Sequence, residues 1–432
     1  MSKLWKKSDG KLHPLIEKYT VGDDYLLDAT LMPYDIQASA AHAKGLEKIG
    51  IFNKDELNKV LSRLKQLEKD FKAGKVKIEI EDEDCHTVIE NYLTKKYKNL
   101  GGKIHTGRSR NDQVLTAMRL YMKDHLGKLR TGSGKLATDF LTFAEKHQKV
   151  AMPGYSHTQQ AMLSSVGHYF CAYTESLIDD ISFLDNVYAH VDKNPLGSAA
   201  GFGVPLLLPR ELTTKAMGFK EVQINSLYCQ NSRGKFESIY MEGLVQIMLT
   251  LGRFANDLLL FTSQEFNFFK VKDALTTGSS IMPQKKNLDG LEILRANVNV
   301  IISNHLLVQN ICKNLLSGYN RDLQLIKKAI IESTDIVLAS IEVAMLYVNG
   351  ISPNEKIIEE KISKEIFAAD IATEMAKTQK IPFRSAYQQA MKEIKKYKVD
   401  IQANLKSKIS LGAPGNLDLN HYNNLLTDKR RR

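Results

Sequence analysis

Apolar residues recur along the middle of the chain at alternating steps of three and four. Tyr240, Leu244, Ile247, Leu251, Phe254, Leu258 and Phe261 keep that rhythm without a break. Phe170, Tyr173, Leu177, Ile181, Leu184, Tyr188 and Val191 come close to it, as do Leu291, Leu294, Val298, Ile301, Val308, Ile311 and Leu315. A near-3.5 repeat sustained this long predicts three long helices packed at shallow crossing angles. Val114, Met118 and Tyr121 start a fourth helix, and residues 330–348 form a fifth. The stripes are wide and include Met and aromatic residues, which suits core packing. Seams of this length also suit burial against other copies, so an oligomer is expected.

The flanks follow different patterns. From Leu15 to about Lys75 the spacing is helical, with Leu57, Val60, Leu61, Leu64 and Leu67 on one face. Val76–Ile80 alternates, as a short strand or an extended turn would, and an acidic patch at Glu81–Asp84 precedes Cys85 and His86. Leu100-Gly101-Gly102-Lys103 reads as a break. Composition changes again near Ile351–Asn354. Phe367–Tyr397 is helical with a break at Pro382, and the pattern fades at Gly412–Gly415. The expected fold is mainly α in three domains: residues 1–105, a central bundle at 106–361 and a small helical domain at 362–432.

Composition narrows the picture only in places. A net charge of +11 permits anionic partners and identifies none. Part of it is the terminal Lys429–Arg432, read as a solvated tail, and no nucleic-acid-binding motif accompanies it. The four cysteines, Cys85, Cys171, Cys229 and Cys312, have neither zinc nor disulfide spacing and fit a reducing cytoplasm. Met1–Lys7 has no apolar core of a secretory signal. Arg253, Asn256 and Asp257 interrupt the most apolar stretch, so no membrane-spanning segment is expected.

Four polar islands interrupt the helical text. His105–Gln113 holds Arg108, Ser109, Arg110, Asn111 and Asp112, and Ser109 with Asp112 resembles a capping box. The plain reading is a helix start; arginines and amides beside a helix N-terminus also make a carboxylate receptor. Met152–Gln160 places Ser156 and His157 after a Pro-Gly pair. Gly278–Asn287 opens on Gly-Ser-Ser, continues through Met282, Pro283, Gln284, Lys285 and Lys286, and leads into a long helix. Such a segment suits a mobile loop closing over an anion. Ser317–Lys327 sets Gln324 and Lys327 on one face of a helix beginning after Gly318, with Tyr319 nearby: a solvated face, or a grip on a polar substrate. Gly132-Ser133-Gly134-Lys135 lacks the rest of a phosphate-binding loop, and no metalloprotease, hydrolase-elbow or dinucleotide motif is present.

His105–Gln113, Gly154–His157 and Gly278–Asn287 occur in the order and at separations that resemble the argininosuccinate lyase family of the fumarase/aspartase superfamily. The likeness runs from Lys3-Leu4-Trp5 to Ile381–Arg384. Gly-Ser-Ser-x-Met-Pro is shared across the superfamily, whereas Gln-Lys-Lys-Asn and Ser-Arg-Asn-Asp-Gln point to the argininosuccinate branch. The resemblance implies a homotetramer with a long-helix core, active sites assembled from three subunits, and no metal or cofactor. It implies reversible anti elimination of argininosuccinate to arginine and fumarate through an aci-carboxylate carbanion.

Carried over by motif, Ser279 matches the serine that takes the Cβ proton, and His157 the histidine that helps protonate the departing nitrogen. Glu292 matches the carboxylate that orients this histidine, while Lys285 and Asn287 face the developing negative charge. Which of Ser279 and His157 is base and which acid stays open in the sequence. Ser109, Arg110, Asn111, Ser156, Tyr319, Gln324 and Lys327 fall at substrate-binding positions, with His86 a neighbour. The chain departs from the family with Ser156 for Thr, Thr158 for Leu and Leu288 for Pro, and at Thr20–Asp24, where no binding residue is assigned. Other readings are a lyase for a different succinyl-amine and a non-catalytic, crystallin-like homologue; intact Ser279, His157, Lys285 and Glu292 oppose the latter.

Overall fold

The computed structural model describes residues 13–431. The Met1–Lys7 stretch, with the Lys3-Leu4-Trp5 match, and the side chains of the basic tail lie outside the described residues. The fold is mainly α. Among the described residues six long helices span Asp24–Lys48, Arg110–Lys146, Val166–Val191, Lys235–Phe261, Asp289–Cys312 and Ile326–Gly350. The chain resolves into two compact units, residues 1–128 with 184–244 and 302–335, and residues 129–183 with 245–301 and 336–432.

In the first unit the helix Asp24–Lys48 packs against helices Lys54–Lys72, Cys85–Tyr97 and Arg210–Met217. Asn53 and Glu56 close a reciprocal capping box at the start of Lys54–Lys72, and Val60, Leu64 and Leu67 bury its apolar face. Ala38, Ala41, Leu120, Leu196, Met217 and Phe219 form one core cluster. Deeper in the bundle the buried hydroxyls of Tyr240 and Thr334 meet at 2.8 Å. Val76–Ile80 joins no strand.

The second unit is built around aromatic packing. Phe140 lies 5.8 Å from Phe170, 5.4 Å from Tyr173 and 5.0 Å from Phe254 between ring centroids. Its small C-terminal helices, Ala368–Thr378 and Phe383–Glu393, start after Phe367 and Pro382. Ala151, Leu163, Ile366, Phe367, Ile394 and Leu405 make their core with the hairpin described below.

The elements differ from the expected ones mainly in extent. The helix from Arg110 runs unbroken to Lys146 through Gly127, Gly132 and Gly134. A Cβ on Gly132 would lie 3.3 Å from the Ile341 side chain, so this glycine serves close helix approach. The helix from Asp289 stops at Cys312, and Leu315 lies beyond it, with Asn314 at φ 63°. Helical structure resumes after Gly318 as a 3-10 turn at Arg321–Leu325, and the α-helix starts only at Ile326. The stretch Ser226–Phe261 is long and apolar enough to cross a membrane by length and composition, despite Arg253, Asn256 and Asp257. Its apolar face, Tyr240, Leu244, Ile247, Leu251 and Phe254, is buried inside the protein.

Candidate active site

The first and fourth polar islands meet in the first unit. Arg110 and Asn111, in the first turn of Arg110–Lys146, line a cavity of about 150 Å³ with Tyr319, Gln324 and Lys327. Ser109 is used up by the helix start: its N–H donates to Asp112 at 2.8 Å and its Oγ accepts from the Asn111 N–H at 3.3 Å. Asp112 is wholly buried, with its carboxyl pushed up to about 6 by burial, and it also accepts from the N–H groups of Gly197 and Ala199. The carboxylate thus locks the arginine-bearing turn to the 197–199 loop.

Lys327 is the electrostatic centre of this cavity. Its Nζ lies 2.5 Å from Asp24 and 2.6 Å from Asp28, with 2% of the side chain exposed. Burial favours the neutral amine, but Asp28 and Asp24 overcome it and raise the Lys327 pKa. Burial lifts Asp24 to about 6. Burial also pushes Asp28 upward, yet Lys327, His86 and the Cys85 N–H together hold it below its ordinary value. His86 is buried and hydrogen-bonded to Asp35 at 2.7 Å; burial alone would lower its pKa, and Asp35 and Asp84 raise it. Arg110 pairs with Asp84, and Arg321 with Glu83 at 2.8 Å. Gln324 donates its amide to the carbonyls of Thr20 at 3.0 Å and Val21 at 3.2 Å, which ties down the segment leading to Asp24.

Asp24, Asp28, Glu83, Arg233 and Arg321 were not singled out as site residues from sequence, and all line this cavity. A signal was present. Asp24, Asp28, Asp35 and His42 are spaced by four, seven and seven on one helix, where apolar residues would mark a core-facing stripe, and all are buried. Asp28, Cys85 and His86 offer metal-ligand atoms within 4.8 Å of one another. An ion there would have to displace the Lys327 ammonium from Asp28.

The second unit carries the other candidates on two exposed elements. Ala151–Ser156 and Gln159–Ser165 form an antiparallel hairpin, closed by His157 and Thr158. Both turn residues have positive φ, 51° and 59°, as a two-residue turn matched to strand twist requires. His157 and Ser156 are therefore held at an exposed tip. The Gly278–Asn287 loop is pinched at its base by paired Thr277 and Asn287, with N–H···O distances of 3.0 and 2.9 Å. Within it, Ser279 Oγ accepts the N–H groups of Ile281 at 3.3 Å and Met282 at 3.1 Å. Lys285 is exposed, Asn287 half-buried, and Glu292 exposed in the first turn of Asp289–Cys312. Among the described residues, no hydrogen bond or ion pair joins the side chains of Ser156, His157, Ser279, Lys285 and Glu292. A larger hollow of about 980 Å³ in this unit, lined by Tyr155, Met162, Ile371 and Tyr397 among others, holds none of the candidates.

The long-helix bundle with its Gly-Ser-Ser loop belongs to a lyase: the family model described as Lyase matches residues 9–303. EDDS lyase in complex with formate shares the fold, with TM-score 0.83 at 21% identity over 98% of this chain and 92% of that one. Class II fumarase from Schistosoma mansoni reaches 0.78 at 14% identity, covering 98% of each. Argininosuccinate lyase of Thermotoga neapolitana is 42% identical over 385 residues, 89% of this chain and 96% of that protein. That of Sorangium cellulosum is 40% identical over 418 residues, 96% of each. The chain belongs to the argininosuccinate lyase family.

Proposed function

We propose that this protein cleaves argininosuccinate to arginine and fumarate. The observation that carries the reading is the 42% identity across nearly the whole length of an argininosuccinate lyase. The family's Ser279, Lys285 and Asn287 are all retained in the pinched loop.

Elimination removes a Cβ proton beside a carboxylate and breaks the Cα–N bond to the guanidino group. Charge accumulates on a group that is already anionic, so the site must present cations and donors to it. Ser279 takes the Cβ proton in this reading. Two N–H groups already point at its oxygen, so the alkoxide form is stabilised before substrate arrives. Lys285 and Asn287 meet the developing aci-carboxylate. His157, oriented by Glu292, delivers a proton to the departing nitrogen as the Cα–N bond breaks, so arginine leaves as its guanidinium cation. Ser109 supports the receptor turn, while Arg110, Asn111, Ser156, Tyr319, Gln324 and Lys327 hold the remainder of the substrate.

We assign the active form to a homotetramer in which separate subunits supply the hairpin tip, the loop and the Lys327 cavity. Support comes from apolar residues exposed seven apart along Asp289–Cys312: Ile293 at 62%, Val300 at 42% and Leu307 at 45%. Ile281 on the loop, 86% exposed, also suits a surface that closes on something. All four cysteines are free, in keeping with a cytoplasmic location. The test is fumarate release, followed by absorbance, from argininosuccinate with adenylosuccinate in parallel. Fumarate from argininosuccinate alone supports the reading; release only from adenylosuccinate overturns it.

A further inference from the structure

Among the described residues, the cations lining the Lys327 cavity are paired directly with carboxylates, except one that acts on Asp24 only at longer range. Lys327 has Asp24 and Asp28, Arg110 has Asp84, and Arg321 has Glu83. Arg233, between the helices Ser226–Asn231 and Lys235–Phe261, lines the same cavity and is only 5% exposed. Its Nη2 donates to the Leu323 carbonyl at 3.3 Å, while among the described residues Nε and Nη1 have no hydrogen-bond partner. The Tyr319 ring centroid lies 5.3 Å from the guanidinium carbon. An arginine cannot discharge itself by losing a proton, so a buried, half-unpartnered guanidinium calls for an anion.

We infer that Arg233 is a specificity-determining residue that binds the α-carboxylate of the substrate's amino-acid end. This rests on the proposed activity and deepens it. Argininosuccinate carries three carboxylates. In the mechanism above Lys285 and Asn287 meet the carboxylate beside the Cβ, and the arginine half, held in the Lys327 cavity, brings the α-carboxylate. A planar guanidinium suits that carboxylate, with two donor edges to offer it. Arg233 thereby distinguishes an α-amino acid from the corresponding amine.

Arginine and agmatine, which is arginine without its carboxylate, serve as the paired probes. Each is titrated as an inhibitor of argininosuccinate cleavage by the full-length protein and by Arg233→Met. The unmodified protein should prefer arginine by roughly 10- to 100-fold, the range of a charged hydrogen bond. Arg233→Met should bring that ratio close to one by weakening arginine and leaving agmatine within about threefold, with KM raised far more than kcat changes. A preserved ratio overturns the inference while the lyase reading stands. Equal weakening of both inhibitors with dissociation of the assembly also overturns it, because Arg233 then serves a subunit contact. Absence of fumarate from the unmodified protein overturns both. Should Arg233→Met not fold, Arg233→Lys keeps the charge and loses the planar fork. Its ratio should fall partway, and an unchanged ratio overturns the inference.

Discussion

Replacing Lys327 with Met keeps the length of the buried stem and removes the ammonium that lies between Asp24 and Asp28 at 2.5 and 2.6 Å. Two carboxylates then face each other, Asp28 wholly buried and Asp24 nearly so. Breaking a buried pair by deleting one partner costs about 3–5 kcal/mol. The pH dependence identifies the cause. In the native protein Asp28 is held below its ordinary value, so its contribution is present near neutrality and is lost as pH falls through that lowered pKa. In the variant the stranded carboxylates have raised pKa values, so stability is regained as pH falls and they take up protons. The gap between the two proteins therefore narrows on acidification, by up to about 1.4 kcal/mol per carboxylate for each pH unit between its raised pKa and its native one, and mostly through Asp28 because Asp24 already lies at about 6. Urea unfolding at pH 8 and pH 5, at one fixed protein concentration, measures it. Adding Asp28→Asn to Lys327→Met should restore most of the stability without restoring activity. A loss below about 1 kcal/mol, or one equal at both pH values, would refute the reasoning.

Further outcomes follow from the two exposed elements and the bundle. Ser279→Ala removes the acceptor of the Ile281 and Met282 N–H groups and should lower kcat by at least ~10²-fold with assembly unchanged by sedimentation. His157→Asn keeps a residue tolerant of positive φ, so the hairpin should persist by circular dichroism while kcat falls ~10²- to 10⁴-fold. Asp180, lifted to about 6 by burial with Thr250 as its 2.7 Å donor, is a cost to the folded state above that pH. A raised folded pKa means that stability is lost as pH climbs from about 4 to 6, so Asp180→Asn should gain up to ~3 kcal/mol at pH 8 and almost nothing at pH 4. Equal gains at both pH values would count against burial as the cause.

Periodicity in the sequence revealed the long helices because a single buried stripe dictates both pattern and packing. It located Lys235–Phe261 and Val166–Val191 to within a few residues of their apolar runs. It marked only the start of Arg110–Lys146, a helix whose Gly132 permits close contact with Ile341. The hairpin at His157 was hidden for a related reason: its turn uses His-Thr, and side chains rarely adopt that conformation without glycine or asparagine. Motifs singled out Ser279, Lys285, Asn111 and Lys327 as candidates. Asp24, Asp28 and Arg233 remained out of view because their significance lies in what they meet far along the chain.

That remoteness bears on synthesis. Asp28 is bonded to a lysine 299 residues later, and Thr20 to an arginine and a glutamine of the same late segment. At translation speeds of roughly 5–20 residues per second, about 15–60 s separate the two partners. Throughout that interval the amino-terminal helix must keep its acidic stripe hydrated or protonated, without the cation it was shaped around. The pocket is thus among the last features to form, and no amino-terminal fragment can contain it. A truncated or stalled chain would leave those aspartates unpaired, which marks it physically as unfinished.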